Sequence, residues 1–144
     1  MRQAAESFTT GDLPRILGQF PEDVVWYSPG KSALAGTFRG KQSLEGFFRA
    51  RYERGGSTIR VDVKDVLASD GHVVIFLRMT AERKGARLNA LVAHFATVGP
   101  RGFARNWFLP DNVPAWDRFF RVRAARRPFL RTCRHSVRAC LTPT

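Results

Sequence analysis

The sequence predicts an α+β domain in which helices lie over one face of an antiparallel sheet, in the element order ααββαββββ. Three observations carry this. In the first third of the chain apolar residues recur at helical spacing; after Ser57 a period of two takes over; and turn signals cut that later part into four runs. Helices that precede a meander lie over one of its faces, which is the α+β arrangement.

The bounds come from composition. A chain of 144 residues with 44% hydrophobic residues fits one domain with a sizeable core. The opening "MRQAAESFTTGDLPRILGQF" has no apolar leader core, and no run nears the roughly 18 apolar residues of a membrane span. The expectation is a soluble, cytoplasmic protein with no membrane span. Both cysteines, Cys133 and Cys140, fall near the C-terminus, so packing rather than disulfides must hold the main fold. The net charge of +12 is unevenly spread: residues 1–120 hold 17 Lys/Arg against 12 Asp/Glu, and residues 121–144 supply seven arginines and no acid. The chain divides near Phe120, into a domain at 1–120 and an arginine-rich tail at 121–144. The tail reads as a disordered end or a short amphipathic helix.

Element by element, "RQAAESF" followed by "TGD" predicts a short helix turning at Gly11, with Asp12 capping a second helix whose stripe is Leu13, Ile16, Leu17 and Phe20. "DVVWYS" has strand composition and ends at Pro29-Gly30, a bend; "GTFRG" is the short return. "KQSLEGFFRARYERGG" places Leu44, Phe47, Phe48 and Tyr52 at helical spacing before Gly55-Gly56. Then come "STIRVDVKDVLA", "HVVIFLRMTAE", "RLNALVAHFATV" and "GFARNWFLP", divided at Asp70-Gly71, Lys84-Gly85 and "GPRG". "VVIFL" is apolar at both parities, which predicts a strand covered on both faces, the outer one by a second copy of the chain.

The order and spacing of "FTTGDLPRILGQFPEDVVWYSPGKSALAGTFRGKQSLEGFF", "DVLASDGHVVIFLRMTAERKG" and "NWFLPDNVPAWDRFF" resemble the SnoaL-like branch of the nuclear transport factor 2-like superfamily. The likeness covers residues 1–120. It implies a cone of curved sheet closed by helices around an apolar pocket, and a homodimer through the outer sheet face. Resembling proteins include ketosteroid isomerases, polyketide cyclases, epoxide hydrolases, dehydratases and pocketed proteins without a known reaction.

In that cone Trp26 and Phe48 are wall candidates, as aromatic rings give flat apolar area for a ring substrate. Asn106 and Trp107 point to opposite faces of the last strand, and Trp107 is taken as the wall residue. His94, a lone polar residue in "LVAHFATV", is both a wall candidate and the candidate acid or base, with an ordinary pKa suited to proton transfer. Asp111 is the second catalytic candidate, because resembling proteins often carry an acid after the last strand. Arg78, Thr80 and Glu82 share one parity and read as a charge ladder. Many resembling proteins have a glutamate two residues before the tryptophan; here that position is Arg105.

No carboxylate dyad, phosphate loop or Ser-His-Asp set is present, and Cys133, His135 and Cys140 lack a fourth ligand at zinc spacing, so no cofactor and no metal is expected. Three function classes stay open: a cofactor-independent isomerase, cyclase or hydrolase acting on a steroid-like or polyketide-like hydrophobic molecule; a non-catalytic ligand-binding or accessory domain; and a nucleic-acid or anionic-surface binder acting through the tail.

Overall fold

Six strands join in one sheet: β1 (Val25–Ser28), β2 (Gly36–Arg39), β3 (Arg60–Ala68), β4 (His72–Arg83), β5 (Ala86–Gly99) and β6 (Gly102–Pro110), in the spatial order β2-β1-β6-β5-β4-β3. The computed structural model describes residues 6–121. The expected first helix lies largely outside the described residues, and a 3-10 turn at Ser7–Thr9 stands at its end. The helices are α1 (Leu13–Leu17), α2 (Lys41–Gly55) and α3 (Val113–Phe120). The tail, with Cys133, His135 and Cys140, also lies outside the described residues, beyond Arg121.

The meander forms as its alternation demands. β4 and β5 pair from His72↔Thr97 to Arg83↔Ala86, and the two turn residues between them, Lys84 and Gly85, both take positive φ. Turns of that kind match the twist of the flanking strands. Val73, Ile75, Leu77 and Met79 of β4 face inward and are buried, whereas Val74, Phe76, Arg78 and Thr80 alternate with them on the outer face. Arg78 there donates to Asn89 Oδ1 across the strand pair at 2.6 Å. The sheet is mixed rather than wholly antiparallel, because β1 runs parallel to β6.

α2 follows its 3.6-residue period more strictly than the apolar pattern suggests. Leu44, Phe47, Phe48 and Arg51 are buried, while Tyr52 is 57% exposed. Position 51 is two turns from Leu44 and only about 20° off its line, so geometry buries the arginine in place of the expected tyrosine. α1 is capped as read, with the Asp12 carboxylate accepting from the Arg15 N–H at 3.3 Å.

α3 is an addition to the expected order. Asn112 caps it by accepting from the Ala115 N–H at 3.0 Å, and Trp116, Phe119 and Phe120 form its buried face. Its Asp117 reaches across to the β1–β2 loop, taking the N–H groups of Lys31 (2.9 Å) and Ser32 (3.1 Å). Gly30, at φ +112°, stands against that carboxylate so closely that a Cβ would overlap it. The Pro-Gly bend is thus a docking point for α3.

Candidate functional site

The interior between helices and sheet is built mostly of rings. β1 turns Trp26 and Ser28 inward, α2 adds Phe47 and Phe48, and Phe8 and Phe20 come from the N-terminal segment. His94 stands in the inner row of β5, in register with Ile75 on one side and Phe108 on the other. It is 1% exposed, and its ring lies 5.0 Å from that of Trp26 and 5.5 Å, edge to face, from that of Phe8. Phe48 meets Trp26 at 5.5 Å. Trp26, Phe48 and His94, three of the four expected wall residues, therefore pack together as buried interior side chains, and of these Phe48 alone lines a cleft among the described residues.

Trp107 does not join them. It lies on the outer face, half-buried and packed at 5.2 Å against Phe95, while Asn106 takes the inner position. The reason is a bulge in the pairing of β5 with β6. Val98 pairs with Phe103 but Thr97 with Arg105, so Ala104 is an extra residue. Alternation counted from buried Phe103 would put Trp107 inside, and the extra residue reverses it.

Asn106 fixes the state of His94. Its Nδ2 donates to the carbonyls of Val25 (3.2 Å) and Phe103 (3.1 Å), and its Oδ1 lies 2.8 Å from His94 Nε2. An amide whose nitrogen faces two carbonyls presents its oxygen to the imidazole, so Nε2 carries the hydrogen and donates it. Nδ1 is then a lone pair, buried and without a hydrogen-bond partner. Burial pushes the His94 pKa down from 6.5 to about 4, and the hydrogen bond to Asn106 opposes that shift. At neutral pH the ring is uncharged. Trp26 Nε1 and Ser28 Oγ are likewise buried without partners, and both belong to the inner face of β1.

Asp111 is not brought to this imidazole. Its exposed carboxylate accepts from the Leu91 N–H at 3.2 Å, and its own N–H donates to the Leu91 carbonyl at 2.8 Å, which ties the end of β6 to β5. Among the described residues the buried polar side chains are Ser28, Arg51, His94 and Asn106, with no carboxylate. No group of three metal-ligating side chains occurs among them either. Phe8 and Asn106 are the residues that sequence reasoning missed. Phe8 was one apolar residue of a short helix, and Asn106 needed knowledge of the bulge.

An open curved sheet of this strand order with helices over its inner face is the nuclear transport factor 2-like fold. Solved structures agree. An NTF2-like protein of unknown function from Burkholderia pseudomallei superposes with a TM-score of 0.72 at 18% identity, over 84% of this chain and 94% of that one. Bal32a, from a soil-derived mobile gene cassette, gives 0.77 at 28% identity, over 83% and 92%. More particularly, the chain belongs to the SnoaL-like domain family, whose model matches residues 1–105. It is also 34% identical over 99 residues to an uncharacterized protein of Mycobacterium tuberculosis, covering 68% of this chain and 76% of that one. No helix among the described residues is long and apolar enough to cross a membrane.

Proposed function

We propose that the chain binds a hydrophobic, steroid-like or polyketide-like small molecule against its aromatic inner face, where the rings packed around His94 part to admit it, and moves a proton on it with His94, in an isomerase- or cyclase-type reaction. The observation that carries this reading is the buried, unpartnered Nδ1 lone pair beside Trp26. A base of that kind takes a proton from the carbon next to a ketone. The C–H bond breaks, the proton goes to Nδ1, and the electron pair moves onto the carbonyl oxygen. Trp26 Nε1–H and Ser28 Oγ–H are the unpartnered donors for that oxygen. Burial makes an isolated imidazolium costly, but a neighbouring oxyanion offsets the new charge, so His94 becomes a competent base only with substrate present. Returning the proton to another carbon completes an isomerisation; attack of the enolate on a second carbonyl, whose oxygen takes the electron pair and then the proton from Nδ1, completes a cyclisation.

Epoxide hydrolysis has less support, since it calls for carboxylates that the buried set lacks. A non-catalytic ligand-binding domain is the second reading, favoured by the placement of Asp111 on Leu91, which leaves His94 without an acid partner. Solvent deuterium exchange into a β,γ-unsaturated cyclic ketone separates the two. Catalysis predicts exchange that falls by about 10²- to 10⁴-fold in His94→Gln. Binding of the ketone with no exchange above solvent supports the binding domain, and an unchanged rate in His94→Gln removes His94 from the mechanism.

The reading includes a homodimer through the outer face of the sheet. Phe76, Phe95 and Trp107 are half-buried there, and Tyr27, Leu67 and Leu109 are 41%, 55% and 40% exposed. Apolar area of this kind gains by being covered.

A further inference from the structure

Among the described residues the buried charge stands elsewhere. Arg51 of α2 is 9% exposed, and its guanidinium carbon lies 4.8 Å from the centre of the Phe48 ring. It makes no ion pair or hydrogen bond with any described residue, and its Nε is buried without a partner. The Phe48 ring accounts for one face of the guanidinium but satisfies none of its N–H donors. Arg51 borders a cleft of about 270 Å³ between α1 and α2, lined also by Leu13, Ile16, Phe48, Tyr52 and Glu53. Its neighbour Arg49 already holds Glu45, at 2.6 Å. Glu53, the one carboxylate lining the cleft among the described residues, is exposed and forms no ion pair with Arg51.

A guanidinium taken out of water without a counter-charge is destabilising unless something pairs it. Burial pushes its pKa down to about 10, which leaves it charged at neutral pH. The space beside it, about 270 Å³ and partly open to solvent, is enough for a small organic acid. We propose that this cleft binds a small monocarboxylate, its carboxylate on the Arg51 guanidinium and its apolar body against Leu13 and Ile16. The planar fork of an arginine suits a carboxylate in two parallel hydrogen bonds, and no described side chain is paired with it. The proposal is distinct from the reaction assigned to His94: the cleft shares Phe48 with that site but does not include His94.

Calorimetry on the full chain at low ionic strength, with hexanoate, phenylacetate and hexanamide as probes, tests it. Binding of either acid is expected, the tighter one naming a chain-like or ring-like body. Hexanamide, which cannot accept as an anion, should bind at least about tenfold more weakly than hexanoate, and Arg51→Met should weaken hexanoate by a similar factor. His94→Gln should leave hexanoate binding unchanged. Should Arg51→Met fail to fold, the acid-against-amide contrast and the shift of the Arg51 Nε nitrogen resonance on adding hexanoate decide the matter in the wild-type chain. Equal binding of hexanoate and hexanamide, hexanoate binding undiminished in Arg51→Met, or no heat from either acid at about 10 mM overturns the proposal.

Discussion

At the scale of single residues, the structure turns on positions where a side chain, or its absence, has one workable solution. Gly30 is one. Its φ of +112° strains any residue with a Cβ, and the Asp117 carboxylate occupies the place where that Cβ would sit. Gly30→Ala is expected to cost about 1–3 kcal/mol, read from the urea midpoint. In an Asp117→Ala background the cost should shrink toward the backbone strain alone, because the overlapping partner is gone. An equal cost in both backgrounds would show that Asp117 plays no part. The bend at Pro29-Gly30 was visible in the sequence, but its partner, 87 positions along the chain from Gly30, was not. The same contrast holds in the site. Trp26 and Phe48 were legible as aromatic residues on a predicted strand and helix, and His94 as the lone polar residue in an apolar strand. Asn106 was not legible, because facing is a matter of counting and the count passes through a bulge.

At the scale of elements, the four-strand meander and α2 follow from periodicity and fall at the expected places, since alternation and turn residues are local signals. The departures have non-local or geometric causes. α3 carried its signals in plain form: Asn112 as cap, Pro114 in the first turn, and Trp116, Phe119 and Phe120 at helical spacing. Eight residues after a strand end are too few for a period to stand out unless the cap is read first. The parallel join of β1 to β6 brings together segments some 80 positions apart, which no local pattern records. On α2 the apolar pattern named Tyr52 and the helix buried Arg51, a difference of one position that turns an ordinary stripe residue into a buried cation. The residue carrying the acid-binding proposal was thus hidden by its own polarity, because a pattern search for core positions passes over arginine.

At the scale of the whole molecule, one sheet separates two apolar surfaces: an inner one filled with rings and an outer one left half-covered. The dimer proposed for the outer face predicts light scattering at twice the chain mass of 16.3 kDa at micromolar concentration, and a return to the single mass in Trp107→Glu. A wild-type chain already at the single mass would contradict it. The inner surface bears the central claim, that His94 is a neutral, buried base held by Asn106. Its burial also sets a sign for stability. The folded chain binds the His94 proton with a pKa near 4 and the unfolded chain near 6.5, so between those values the unfolded state holds more protons. This contribution is present in full above pH 6.5 and is lost as the pH falls to 4, by about 3 kcal/mol in all. Nitrogen-resolved NMR of the His94 ring, followed through a pH titration, tests the claim most directly. The account predicts a hydrogen on Nε2 and none on Nδ1 at neutral pH, with protonation only as the pH nears about 4. An imidazolium at pH 7, or a hydrogen on Nδ1, would contradict it.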